Sequence, residues 1–142
     1  MEVSDVRRRL RGAIEEARRH AADRRTRTDE ATRAWRQLLP DVIVPAFQVT
    51  QSALTGEGHR FTVSTPGETA RLTPERSAHD FVEMALDTAR DVPAVMIRST
   101  RGRGRHTVSA ERIVREGGAI AALTEEDAVG ALLEELIPLI ER

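Results

Sequence analysis

The first 39 residues constrain the fold most, because their apolar and small residues recur at alternating intervals of three and four. That spacing places them along one side of an α-helix. Alanine, arginine and glutamate, which are good helix formers, dominate the segment, and Gly12 is the one weak interior residue before Pro40. We therefore predict a long helix over residues 4–39. The residues with this spacing are Val3, Val6, Leu10, Ala13, Ala17, His20, Ala31, Ala34 and Leu38, with Arg24 and Arg27 at the two positions between His20 and Ala31.

The continuity of this helix is the open question, because large apolar side chains are missing between His20 and Glu30. A helix through this stretch is solvated all round or faces a polar partner. Alternatively, the helix breaks and Thr26 or Thr28 caps a new one. We favour the continuous helix.

A continuous helix is too long for the rest of the chain. It spans about 54 Å at 1.5 Å per residue, whereas the remaining hundred residues form a body about 33 Å across. An overhanging helix with so thin an apolar stripe is best stabilised by pairing. We therefore expect a homodimer, or a complex with another protein, joined partly through this helix. The predicted interface residues are Val6, Leu10, Ala13, Ala17, His20, Ala31, Trp35 and Leu38.

The rest of the chain is typical of an α+β domain. Residues 40–55 indicate a second helix, with Pro40 in its first turn and Pro45 able to kink it. Short alternating runs joined by short turns predict a four- or five-stranded antiparallel meander, because parallel strands need long crossovers. The last helix, after the capping residue Thr124, carries a broad apolar face that we expect to pack on the sheet. The predicted organisation is a helical dimerisation segment, residues 1–39, and an α+β domain, residues 40–142. The predicted strands cover residues 60–65, 69–73, 80–87, 92–99 and 106–110, with Ile113 and Val114 extending the last strand or starting a connector.

Charge is unevenly distributed, although 22 basic and 23 acidic residues leave a net charge of -1. All the basic residues are arginines, whose planar guanidinium suits contacts with carboxylates and phosphates. An arginine-rich predicted hairpin offers an alternative function, the binding of a nucleic acid or another polyanion, with help from the N-terminal arginines. We do not favour it, because the chain is not basic overall and only 3% of its residues are aromatic. The candidate anion-binding residues are Arg98, Arg101, Arg103, Arg105 and His106.

An enzymatic role has the least support. His79, Asp80 and Glu83 are close in sequence, and His106 adjoins the arginines, but none of them follows the spacing of a metal site or catalytic motif. The chain has no cysteine, which excludes thiolate ligands and cysteine nucleophiles. We predict no catalytic residue, no metal site and no cofactor.

The cellular setting is predicted only in outline. No run of about 18 apolar residues indicates a membrane span, and the first residues lack the apolar core of a signal peptide. We expect a cytoplasmic, non-enzymatic protein whose function is interaction or assembly.

Overall fold

The computed structural model describes residues 1–77 and 79–141, and it has the predicted α+β architecture. The first helix, α1, runs unbroken for 36 residues, so the prediction of a continuous helix is confirmed. Thr26 does not start a new helix; its hydroxyl donates to the carbonyl of Ala22, 3.1 Å away. A threonine that bonds back to residue i−4 stays within a helix. The helices are α1 (Val3–Leu38), α2 (Val44–Gly56) and α3 (Glu125–Ile140).

At the junction between α1 and α2, α1 ends before Pro40 as predicted, but the chain does not leave the helical conformation there. Helical backbone continues through a π-helical segment, Leu39–Ile43, directly into α2. Proline has no N–H and its ring crowds the carbonyl of residue i−4, so it normally ends or kinks a helix. A π turn widens the helix locally and is a known way to absorb such a disruption. Pro45 then occupies the first turn of α2, directly after the π turn.

Five antiparallel strands form one sheet in the order β1-β2-β3-β4-β5, which confirms the meander. The last hairpin is longer than predicted. Its strands continue to Arg103 and resume at His106, so that only Gly104 and Arg105 form the turn. Gly104 has a φ of 65°, whereas Arg105, like the other described residues that are not glycine, does not have a positive φ. A positive φ at the first of the two turn residues alone is typical of a type II′ hairpin turn. The strands are β1 (Phe61–Ser64), β2 (Ala70–Pro74), β3 (Phe81–Asp87), β4 (Ala94–Arg103) and β5 (His106–Glu116).

One face of the sheet, called here the inner face, is covered by α2 and α3. Alternate strand residues supply its core, including Leu72, Val82, Met84 and Ile97, all fully buried. A 3-10 helix, Gly117–Ala122, connects β5 to α3. The packing of the C-terminal helix on the sheet is as predicted.

The end of α1 belongs to this core. Trp35 is 1% exposed, and its Nε1 donates to the carbonyl oxygen of Glu68 at 2.7 Å. Ala31 and Leu38 are also buried in the same cluster. Three of the residues that the sequence assigned to a dimer interface, Ala31, Trp35 and Leu38, therefore pack inside their own chain, because an apolar stripe does not specify what covers it.

Candidate functional site

The amino-terminal half of α1 is exposed to solvent. We call residues 3–20 the arm. Each of them is exposed except Asp5, whose carboxylate contacts the backbone nitrogen of Glu2 and the guanidinium of Arg8. The arm is about 27 Å long at 1.5 Å per residue. The five remaining predicted interface residues, Val6, Leu10, Ala13, Ala17 and His20, all lie on it.

An apolar stripe runs along the arm. Val3 is 74% exposed, Val6 48%, Leu10 58% and Ile14 43%. The side chains of Ala13 and Ala17 continue the same line towards the body. Single exposed apolar residues are ordinary, but a line of them on a projecting helix marks a contact surface.

Charged residues surround the stripe and are held only loosely. Within the arm, the Arg8 and Asp5 side chains are 3.5 Å apart, and Nε2 of His20 lies 3.6 Å from the carboxylate of Glu16. All four side chains are largely exposed, and exposed ion pairs contribute little to stability. Most charges on the arm are therefore free to rearrange towards a partner.

The second candidate surface is the hairpin tip, residues 101–106. By strand alternation and pairing, Arg101, Arg103 and His106 lie on the same side of the sheet, and Arg105 sits in the turn. None of these three arginines forms an ion pair or a side-chain hydrogen bond within residues 1–77 and 79–141. The tip also extends beyond the start of β3, whose first residue pairs with Thr100.

Asp80 supports the tip at its base. Its buried carboxylate accepts a hydrogen bond from the backbone nitrogen of Gly102 at 2.7 Å. Gly102 lies where β4 has run past the start of β3. Asp80 thus acts as a structural acceptor for a backbone N–H at this strand edge.

Arg98, the first residue of the predicted anion-binding set, is already neutralised by acidic side chains. Its guanidinium lies 2.6 Å from the carboxylate of Glu83 and 3.9 Å from that of Glu111. Glu83 is also 3.3 Å from Arg71. Arg98 therefore belongs to an internal charge network and not to a free basic surface.

This network crosses four strands on the outer face of the sheet. In register, Arg71 of β2 is opposite Glu83 of β3, which is opposite Arg98 of β4, which is opposite Glu111 of β5. Opposite charges on directly paired residues stabilise a sheet. The guanidinium carbon of Arg71 also lies 4.1 Å from the ring centre of Phe81, a cation–π contact.

The charge on Glu83 is stabilised in this network. Burial acts to raise the pKa of Glu83, but hydrogen bonds from Arg98 and Thr69, together with the charges of Arg71 and Arg98, hold it below the ordinary value of 4.5. Glu83 is thus a carboxylate at neutral pH. Sequence reasoning missed this network because the four residues are recognisable as partners only once the strand register is known.

Two further arginines bind the acidic C-terminal helix. Arg112 lies 2.9 Å from Glu135 and 2.8 Å from Glu134, and Arg115 lies 2.7 Å from Asp127. The pKa of Asp127 is lowered, first by hydrogen bonds from the backbone and side chain of Thr124 and then by Arg115. The acidic C-terminal helix is therefore paired with arginines of β5 and not with those of the hairpin tip.

The residues weighed for catalysis do not converge. Asp80 is bound to Gly102, Glu83 is engaged by two arginines on the outer face, and His79 is exposed. His106 lies on the hairpin tip. The described part of the chain contains no group of three histidine or carboxylate side chains placed to hold a metal ion.

A cleft of about 590 Å³ opens at the end of the sheet where β1 begins and β2 ends. Its walls include His59 and two arginines, Arg60 and Arg76, but also two carboxylates, Glu75 and Asp80. The opposite charges balance, so the cleft has no marked preference for anions. It gives no clear indication of a ligand.

Comparison with protein-family models, with curated proteins and with solved structures finds no match to this chain. Among the described helices, none combines the length and the apolar character that crossing a membrane requires.

Proposed function

We propose that this chain is a non-enzymatic interaction or assembly protein that forms a homodimer through its arm. The observation that supports the proposal is the projection of an 18-residue helical segment with an exposed apolar stripe. Most helical stability in proteins comes from packing an apolar face. A second helix against the stripe supplies that packing.

A second copy is the simplest partner because its arm has the complementary properties. The arm carries both arginines and glutamates around the stripe, so two arms can exchange ion pairs without a third component. Helix pairing at intervals of three and four needs only a narrow apolar seam with charged flanks. The stripe has this form.

The mass of the full-length protein in solution tests the proposal. Light scattering should give twice the chain mass for the unmodified protein and the chain mass for the Val6→Glu, Leu10→Glu double variant, because two carboxylates in the seam oppose pairing. Ala22→Glu is the matched control, since Ala22 is exposed and lies opposite the seam. It should leave the mass doubled. A monomeric unmodified protein at all accessible concentrations contradicts the proposal.

Polyanion binding by the hairpin tip is the second candidate. It is supported by three arginines, Arg101, Arg103 and Arg105, that form no ion pair with the part of the chain that the structure describes and that lie beside His106. Binding that depends on phosphate contacts weakens steeply with salt. Retention of the protein on duplex DNA at low salt should be lost when the three arginines are changed to alanine, and kept when the same change is made at Arg112, which is held by α3. Equal retention by both variants excludes the tip as the binding surface.

A further inference from the structure

The stripe on the arm changes in size along its length. At the alternating three-and-four spacing, the stripe carries the larger residues Val3, Val6 and Leu10 in its amino-terminal half and the smaller Ala13 and Ala17 in its carboxy-terminal half, with Ile14 at its edge. Two arms paired in parallel place Ala13 and Ala17 against their own copies and the larger residues against theirs. An antiparallel pair can instead place Leu10 opposite Ala13 and Val6 opposite Ala17, which keeps the two helix axes at a more even separation.

The body of each chain also restricts the direction of pairing. Ala31 and Leu38 are buried in the body and follow Ala17 at multiples of seven residues, so the body occupies the same side of α1 as the stripe, displaced by about 20° per heptad. Residues 88–91, between β3 and β4, line a cleft whose other wall is α1 at Ala21 and Thr28. A parallel partner helix that continued along this side would meet the body. An antiparallel partner ends where the body begins.

Flanking charges agree with this direction. When Leu10 faces Ala13 of a second copy in an antiparallel pair, Arg9 flanks the seam next to Glu16 of that copy, and twofold symmetry repeats the pair. A parallel pair instead brings Glu2 beside Arg7 and leaves Arg9 beside Ile14. Both directions thus offer charge pairs. The antiparallel pairs flank the middle of the seam, whereas the parallel pairs flank its amino-terminal end.

We propose that two copies pair arm to arm in an antiparallel direction, with Leu10 opposite Ala13 and Val3 opposite His20 of the second copy. This inference rests on the proposed homodimer and adds its direction and register. The same register places Val6 opposite Ala17. The two bodies then lie at opposite ends of the paired arms.

Introduced cysteines test the direction cleanly, because the chain has none of its own. In the proposed pair, the two copies of Val3 are 17 residues apart along the axis, about 26 Å, and Val3 lies beside His20 of the other copy. Disulfides form only when the Cα atoms are within about 4.4–6.8 Å. An equimolar mixture of Val3→Cys and His20→Cys proteins should therefore give the mixed disulfide, while Val3→Cys alone should stay reduced under the same mild oxidation. Both positions are exposed, so the body of each variant is retained.

The possible results separate the two proposals. A disulfide between two Val3→Cys chains, without the mixed product, indicates a parallel pair: it overturns the antiparallel inference and leaves the homodimer standing. No disulfide in either sample, with a doubled mass, places the interface elsewhere and overturns both the inference and the role of the arm. A monomeric mass overturns the homodimer itself.

Charge reversal gives an independent readout. Arg9→Glu and Glu16→Arg should each weaken dimerisation, because each places two like charges side by side in both symmetry-related pairs. The two changes in one chain should restore dimerisation, because position 9 of each copy then again carries the charge opposite to that of position 16 of the other copy. Asp5→Arg combined with Arg8→Glu is the matched control, since this pair lies within one arm. Failure of the Arg9→Glu, Glu16→Arg double variant to recover dimerisation contradicts the proposed register.

Discussion

The two ends of α1 share the same apolar spacing but have entirely different surroundings. In the arm, residues 3–20, the apolar side chains face solvent, whereas in the anchored end, residues 31–38, Trp35 is buried and bonded to the carbonyl of Glu68. Both halves are helical. The anchored end is held by its own chain, and the arm depends on intrinsic propensity and on whatever covers its stripe. The comparison shows that one uninterrupted helix can be buried in the body at one end and carry an exposed apolar stripe at the other.

Hydrogen exchange should show the largest difference between the halves. Amides of the anchored end open only with the body and should be protected up to the free energy of global unfolding, about 5–15 kcal/mol for typical domains. Amides of the arm should exchange rapidly in dilute solution and become protected as the protein is concentrated, because pairing covers them. Mass spectrometry at several protein concentrations measures both. If the protection of the arm amides does not change with protein concentration, the proposed pairing of the arm is contradicted.

Removing the anchor should be the most damaging single substitution. Trp35→Ala leaves a large cavity and an unsatisfied carbonyl at Glu68, so we expect a loss of about 3–5 kcal/mol in the free energy of unfolding. Leu10→Ala on the arm is the matched truncation and should change it little in dilute solution. Urea denaturation of both variants checks this. Equal losses would show that the arm also packs on the body.

Ion pairs should likewise contribute more to stability when they are buried in the body than when they are exposed on the arm. Glu83→Gln should lower the free energy of unfolding by about 1–3 kcal/mol at neutral pH, because a largely buried carboxylate with two arginine partners is lost. Since the pKa of Glu83 is lowered on folding, its contribution is present above the unfolded value of 4.5 and is lost as the pH falls through the folded value.

The difference between Glu83→Gln and the unmodified protein should accordingly shrink in acid. Glu16→Gln, at an exposed pair on the arm, is the control and should have no such effect on the stability of the body. Denaturation curves at neutral and acidic pH measure both variants. A constant difference across this range would contradict the assignment of the charge to Glu83.

The smallest expected effect comes from glycines in the two kinds of helix. A Cβ at Gly12 of the arm or at Gly130 of α3 meets no atom within 4 Å, so alanine should favour either helix by about 0.5–1 kcal/mol. Gly130→Ala should raise the denaturation midpoint of the body. Gly12→Ala should raise helical content by circular dichroism and leave that midpoint unchanged. A shift of the midpoint by Gly12→Ala would show that the arm unfolds together with the body, contrary to this expectation.

Much of the fold could be predicted from the sequence, because local patterns specify it. The 3–4 spacing predicted α1, and short alternating runs predicted the antiparallel meander. What covers the apolar side of α1 at its anchored end could not be predicted. The spacing that places Trp35 on that side is equally consistent with packing against its own sheet and with packing against a partner. The network around Glu83 and the bond from Gly102 to Asp80 depend on strand register, which single-residue patterns do not specify. The neutralisation of Arg98 follows from the same register.

The π turn at Leu39–Ile43 has a consequence for the direction in which the arm leaves the body. A π turn holds one residue more than an α turn, and each residue of an α-helix advances the side chains by about 100° around the axis. The extra residue therefore sets the rotation of α1 about its own axis relative to α2, and α2 packs on the sheet. Removing one residue from this turn would set the buried contacts of Trp35 against those of α2, so the arm could keep its present direction only if one of the two lost its place in the core.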